Sequence, residues 1–515
     1  MTTPTTPSNR RSARSLIRTF WIPFVLLFLA STAWTFATPL AAAPDEPAHI
    51  LKAAGTARGQ FLPDGFDEAG RGYFTVPASL SDAREWEDCF AHKAAAPASC
   101  QVIDGATPGT ERASTTAAAY NPLYYGAVGW ASLLTDDPHA IVYGMRLATA
   151  LGTAALIALA FHFLSAMMGL RRASVVLAAT ATPMLLFLGG VVNPNAWEIA
   201  GGMALLAAVL ALAHRRDGVP SPNGALATIA AVGFIVCNLR GISPLWVAVL
   251  GLLGLSTIPW PTLRVLFRSP ATWVAAAALL AGATTALLWG AAANYYALEG
   301  DFRNKDWTAG RVLEMMFRRT IFEPAYVGLF GWTDTSSPTI AIVILGGLGV
   351  LTVVAAFWLA RRRFLIVTLV AGAAWLLLPA LVQLSYVRSA GMIWQGRYSM
   401  VMYVGMVILA AVAANIGWGD RPIPHPRRLA WSLGAFVWAA HVYTFVLTQV
   451  RYARGAGETI WMLFKEPLWS PPLGASVWLL LIAVAVSGFV VLAARQPTST
   501  AAPETIEPMR ASEER

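Results

Sequence analysis

Twelve apolar runs dominate the chain, most of them about 17 to 23 residues long, and runs of that length cross a bilayer as helices. They lie near 19–39, 140–168, 173–191, 196–213, 225–239, 242–259, 271–293, 338–360, 364–385, 399–417, 429–449 and 475–494. Only Asn238-Leu239-Arg240 divides 225–239 from 242–259, so that pair reads either as two spans or as one reentrant unit. The polar segments between runs differ in size. One set is short, while the other holds long stretches near 40–139, 294–337, 386–398 and 450–474. The pattern predicts an all-α polytopic membrane protein with about 12 transmembrane helices. A first loop of about 100 residues is too long for a connector, and its aromatics, prolines and two cysteines predict a folded unit. No internal repeat is visible, which weakens an inverted-repeat transporter reading. Residues 1–18 and 495–515, rich in Ser, Thr, Pro and charge, read as disordered cytoplasmic tails flanking a membrane domain over 19–494.

Composition agrees. Of 515 residues 56% are hydrophobic and 13% charged, with a mean hydropathy of +0.56. These values exclude a soluble enzyme, a secreted disulfide scaffold and a nucleic-acid-binding domain. The basic excess is instead a topology signal. With the N-terminus inside, the inner segments hold 19 of the 37 basic residues and 6 of the 28 acidic ones. They include Arg10, Arg11, Arg14, Arg18, Arg171, Arg172, Arg215, Arg216, Arg361, Arg362, Arg363, Arg510 and Arg515. Every inner segment is basic, so the positive-inside rule puts both termini in the cytoplasm and the long loops outside. Ala41-Ala42-Ala43 resembles a signal-peptide cleavage site, but the apolar stretch before it exceeds the usual length of about 7–15 residues. Cys89 and Cys100 share the first outer loop, in an oxidising compartment, where they are either a disulfide or two free thiols. Cys237 lies in a span and reads as packing.

Candidate chemistry gathers in the outer loops. Pro44-Asp45-Glu46-Pro47-Ala48-His49 follows the first span directly, with Lys52 and Arg58 after it. A carboxylate partly desolvated there suits a general base, with His49 and Lys52 against an anionic substrate. The plainer reading makes Asp45 a helix N-cap and Pro47 a first-turn residue. Tyr120-Asn121-Pro122-Leu123-Tyr124-Tyr125 closes the same loop and reads as a site wall or as an interfacial aromatic belt. Asn193-Pro194-Asn195-Ala196-Trp197-Glu198 is a tight turn whose Glu198, at the start of a span, suits a polar cavity. Residues 310–320 alternate apolar positions with Arg311, Arg318 and Arg319, as in a helix lying in the interface. Gly328-Leu329-Phe330-Gly331-Trp332-Thr333-Asp334-Thr335 follows. In Trp394-Gln395-Gly396-Arg397-Tyr398, the Arg397 fork suits phosphate at headgroup depth, although a snorkelling arginine would stand there too. No P-loop, H-E-x-x-H, zinc-spaced Cys/His pair or G-x-S-x-G occurs. The D-E pair has oxygen ligands for Mg²⁺ or Mn²⁺, but one such pair is too little to assign a metal.

The D-E pair after the first span, N-P-L-Y-Y, N-P-N, F-G-W-T-D-T and Q-G-R-Y occur in this order. Together they resemble a family of bacterial polytopic proteins catalogued as a domain of unknown function and grouped with the GT-C glycosyltransferases. The resemblance runs from about Thr19 to Val491. It implies inverting transfer of a sugar from a polyprenyl-phosphate donor to an envelope glycan or glycolipid acceptor, on the outer face of the bacterial cytoplasmic membrane. Asp45 first and Glu46 second would act as base or acceptor-orienting group. Arg397, then Lys52 and His49, with Gln395 and Tyr398, would hold the donor phosphate. Tyr120, Asn121, Tyr124, Asn193, Asn195, Glu198, Trp332 and Asp334 would line the acceptor cavity. The short C-terminal tail leaves acceptor recognition to the outer loops or a partner. Two rival classes are a flippase for lipid-linked intermediates, which calls for ionisable residues deep within spans where only a few, chiefly Arg146, His162 and Arg240, occur, and a non-catalytic envelope scaffold.

Overall fold

The computed structural model describes residues 15–215, 221–294 and 304–495. Both expected tails fall outside these residues, apart from 15–18 and 495, as do Arg10, Arg11, Arg14, Arg216, Arg510 and Arg515. Residues 17 and 18 already belong to the helix of the first span rather than to a tail.

All twelve apolar segments are helical, and nine helices among the described residues are long and apolar enough to cross a membrane. The second and third segments share one of them, Pro138–Thr180, which breaks at Gly169 (φ 78°, ψ 158°). That conformation suits a residue without a Cβ, and nothing stands within 4 Å of where a Cβ would be. The third segment breaks again before Pro183, which starts the short helix Pro183–Gly189. Pro222–Cys237 and Ser243–Leu255 have 16 and 13 residues. At 1.5 Å per residue each is shorter than a hydrocarbon layer of about 30 Å. Between them Asn238 donates to Phe234 O and Gly282 O and accepts from Asn121 and Thr285, so the break is a satisfied polar joint.

Asn195–His214 and Gly396–Trp418 form the buried centre, while Pro270–Ala292 is mostly exposed at the periphery. Pro138–Thr180 packs on both Ile22–Ala37 and Asn195–His214. One buried pair of charges lies at the centre of this packing. Arg146 and Glu46 are fully buried and joined by two 2.7 Å hydrogen bonds.

The first long loop is folded, as its length and composition predict. Helix Glu46–Ala57 packs on an antiparallel hairpin, Gly72–Pro77 with Thr110–Thr115, and on Pro122–Val128. A disulfide joins Cys89 to Cys100. Arg451, at the end of Pro426–Arg454, donates to the carbonyls of Phe90 and Ala96 and to Asp334, tying three loops together. Ala309–Phe322 is a helix with Val312, Met316 and Thr320 buried on one stripe and Arg311, Glu314 and Arg318 exposed, the amphipathic pattern the sequence predicts.

Candidate functional site

The site begins with a backbone turn. Helix Glu46–Ala57 carries Pro47 in its first turn, and Asp45 precedes it in the left-handed region (φ 65°, ψ 1°). Asp45 occupies the N-cap position, yet its side chain makes no capping bond. It remains 43% exposed and accepts a hydrogen bond from Arg397 Nη2, 352 residues away. Arg397 stands on the short turn Gly396–Ser399 and is 2% exposed. Its Nε and Nη1 are buried with no hydrogen-bond partner among the described residues. Buried guanidinium donors rarely go unsatisfied, and here two of them are left over at the cavity wall. Gln395 Oε1 is also buried without a partner.

Asp45, Gln395, Arg397 and Tyr398 line a cavity of about 440 Å³ with Arg319 and Glu323. A second cavity of about 360 Å³, more apolar, shares the wall Ile393, Trp394 and Tyr398 and carries Tyr120 and Arg240 on its other sides. The Tyr398 ring lies 4.1 Å from the guanidinium carbon of Arg240 and 5.1 Å from that of Arg397. The two cations therefore flank the partition between the cavities.

Several sequence-predicted residues have other work. Glu46 faces the core, not the cavity, and accepts from Arg146 twice and from Val192 N at 3.0 Å. Its oxygens are engaged, so it is neither a second base nor half of a cation cage with Asp45. Lys52 is buried and donates to Phe61 O (2.7 Å) and Ala118 O (3.0 Å), over the Phe74 ring. Burial lowers its pKa to about 7, and it fastens the loop instead of meeting phosphate. His49 bonds Tyr125 Oη at 2.8 Å, and burial, opposed by Asp45 and aided by Arg397 and Arg240, holds its pKa down to about 3. A neutral imidazole brings no charge to an anion.

The predicted cavity walls divide likewise, and of them Tyr120 lines one. Asn121 caps helix Pro122–Val128 through Leu123 N. Tyr124 is buried against Thr149. Asn193 donates to Pro44 O and so holds the turn carrying Asp45. Asn195 and Ser243 donate to Glu198, whose Oε2 pairs with Arg240 at 3.3 Å. This cluster therefore aims Arg240 instead of forming a wall. Trp332 donates to Ala41 O, and Asp334 is held by Arg451 and Thr335. Sequence reasoning passed over Glu323 and saw Arg319 only as part of an interfacial helix. No motif marks either, and their place depends on where residues 323–325 meet Gly396.

The profile of the family described as predicted membrane protein (DUF2142) matches residues 27–406. The chain belongs to this family. The matched DUF2142 region includes Asp45, Arg240, Glu323 and Arg397, and the resemblance of the ordered motifs to a family of polytopic membrane proteins is confirmed. No curated protein matches the chain. Among solved structures, the chain is similar to ArnT from Cupriavidus metallidurans in the apo state, at 15% identity and a TM-score of 0.46, over 91% of this chain and 76% of that one. It is also similar to the same protein bound to undecaprenyl phosphate, at 14% identity and a TM-score of 0.42, over 92% and 76%.

Proposed function

We propose that this DUF2142 protein transfers a sugar from a polyprenyl-phosphate donor to an envelope glycan or glycolipid, on the extracytoplasmic face of the bacterial inner membrane. One observation carries the reading: a half-exposed Asp45 paired with a buried Arg397 whose Nε and Nη1 have no hydrogen-bond partner among the described residues, both residues at one cavity. The carboxylate orients or deprotonates the acceptor nucleophile, which attacks the anomeric carbon from the side opposite the phosphate. The bond from that carbon to the phosphate oxygen breaks, its electron pair leaves with polyprenyl phosphate, and the configuration inverts. Charge grows on the leaving phosphate as the bond breaks, and a preorganised guanidinium stabilises that charge more than it stabilises the ground state. The neighbouring cavity, walled by Ile242, Val382, Ile393 and Trp394, suits the first isoprene units of the donor. The Lys/Arg bias supports long loops outside and both termini inside.

The test uses protein in nanodiscs, radiolabelled polyprenyl-phosphate sugars and a crude envelope-lipid acceptor fraction. Wild type should transfer label, and Asp45→Asn should lose transfer while keeping its melting behaviour. Arg397→Ala should weaken donor binding as well as turnover. A wild type that binds donor and transfers nothing, with both variants still complementing a deletion strain, would sink this reading. A carrier of lipid-linked intermediates or a scaffold would then lead.

A further inference from the structure

Glu323 enters the same cavity from just beyond the amphipathic helix Ala309–Phe322. The following Pro324 keeps residue 323 extended (φ −75°, ψ 130°), which turns the chain off the helix and onto the Gln395-Gly396-Arg397 turn. Its Oε2 lies 2.9 Å from where a Cβ on residue 396 would stand, so glycine there lets the carboxyl settle beside the arginine turn. That oxygen is buried with no hydrogen-bond partner among the described residues. Arg319 from the preceding helix, Arg397 from the turn, Asp45 across the cavity and Tyr326 from the next turn face it. Arg319 Nη1 is engaged by Trp394 O, and Arg397 Nη2 by Asp45. Burial outweighs the two guanidiniums and raises the proton affinity of Glu323.

One cavity thus holds two carboxyls in different settings. Asp45 is ion-paired and half exposed; Glu323 is partly buried, and its Oε2 is buried without a hydrogen-bond partner among the described residues. Two carboxyls in unlike environments at one site can divide the work of positioning and proton exchange. We propose that Glu323 is the proton acceptor of the transfer reaction and that Asp45 holds the nucleophile in place. The proposal rests on the glycosyl-transfer reading above. In the step, the acceptor O–H proton passes to the Glu323 carboxylate, and the oxygen's electron pair forms the bond to the anomeric carbon. The bond from that carbon to the phosphate breaks, and its pair leaves on polyprenyl phosphate. Glu323 starts ionised, so the rate rises with pH through its titration, and the proton afterwards returns to solvent.

The experiment measures label transfer from a polyprenyl-phosphate sugar against pH, in nanodiscs, for wild type, Glu323→Gln and Glu323→Asp. Binding of polyprenyl phosphate itself is measured alongside. Glu323→Gln should cut transfer by about 100-fold or more, abolish the acid limb of the profile and leave binding unchanged. Glu323→Asp should restore part of the rate with the limb displaced in pH. Wild-type rate and limb in Glu323→Gln, with Asp45→Asn inactive, would overturn the role of Glu323 and leave glycosyl transfer standing. No transfer by wild type would overturn both. If Glu323→Gln fails to fold, an undisplaced limb in Glu323→Asp refutes the proposal.

Discussion

Substituting Glu46→Gln should unfold this protein more readily without touching its chemistry, although Glu46 adjoins the proposed active carboxylate. Glu46 and Arg146 have no exposed side-chain surface. Glu46 accepts three hydrogen bonds, two of 2.7 Å from Arg146 and one of 3.0 Å from Val192 N. Removing one partner of a buried ion pair costs about 3–5 kcal/mol, chiefly because the other charge stays behind uncompensated. Glutamine keeps one acceptor oxygen but turns an NH₂ toward the guanidinium, so the low end, about 3 kcal/mol, is expected. Arg146→Met should cost more. Arg146 also donates to the carbonyls of Thr35, Thr38 and Pro39, at the end of the first span, and each lost bond adds about 1 kcal/mol. A double variant, Glu46→Leu with Arg146→Met, should recover the charge penalty but neither the three carbonyl bonds nor the bond from Val192 N. The assay is the apparent melting temperature of a fluorescent fusion in detergent, with limited proteolysis of the first loop. At temperatures where Glu46→Gln is still folded it should bind polyprenyl phosphate like wild type. A variant that melts like wild type and has lost transfer, while Asp45→Asn transfers normally, would refute the reasoning and exchange the two roles.

Three further outcomes follow from the same geometry. In Gly396→Ala the new Cβ would stand 2.6 Å from Ala325 Cβ and 2.9 Å from Glu323 Oε2; a cost of about 1–3 kcal/mol in melting is expected, and unchanged melting and transfer would refute the close approach. Lys52 has a folded pKa of about 7 against an ordinary 10.5. Between those values the unfolded chain holds a proton that the folded loop lacks, so resistance to proteolysis should rise with pH from 7 to 10.5. Lys52→Met should flatten that slope, and an unchanged slope would show that another group causes it. Cys89→Ser opens a small loop and should cost at most about 3 kcal/mol, seen as earlier cleavage of residues 89–100 with donor binding retained; loss of donor binding would give the bridge a part in the site.

Much of the fold was legible because a bilayer demands long apolar runs, and those runs are visible without any tertiary knowledge. The break at Gly169 was not. Hydropathy is blind to φ, and a glycine in an apolar run looks the same whether the helix continues or turns. In the site, Asp45 and Arg397 stood out as polar residues in short motifs beside spans, but nothing in sequence says that positions 352 apart share a hydrogen bond. The same signal misdirected at Glu46, His49 and Lys52. The first loop folds down over helix Glu46–Ala57 and buries His49 and Lys52, while Glu46 turns into the core against Arg146 and Val192 N. Glu198 was read as a cavity wall because an acid at a span end is costly unless paired; the partner, Arg240, lies just past the next helix. Glu323 had no motif to advertise it, since its place comes from a proline after it and a glycine on a distant turn.

The left-handed backbone at Asp45 decides which substitutions can be interpreted at all. Most residues with a Cβ lose roughly 1–2 kcal/mol in that conformation, while Asn and Asp accept it and Gly adopts it as readily as any other. Alanine at position 45 would therefore disturb the path of the chain as well as delete a carboxylate, and its effect would mix two causes. Ala41, at φ 61°, shows that this stretch already carries one such residue. Alanine at position 45 would overstate the chemical importance of the turn. Asn and Gly at position 45 form the clean pair: the first removes only the charge, the second the whole side chain, and both leave the peptide where the fold holds it.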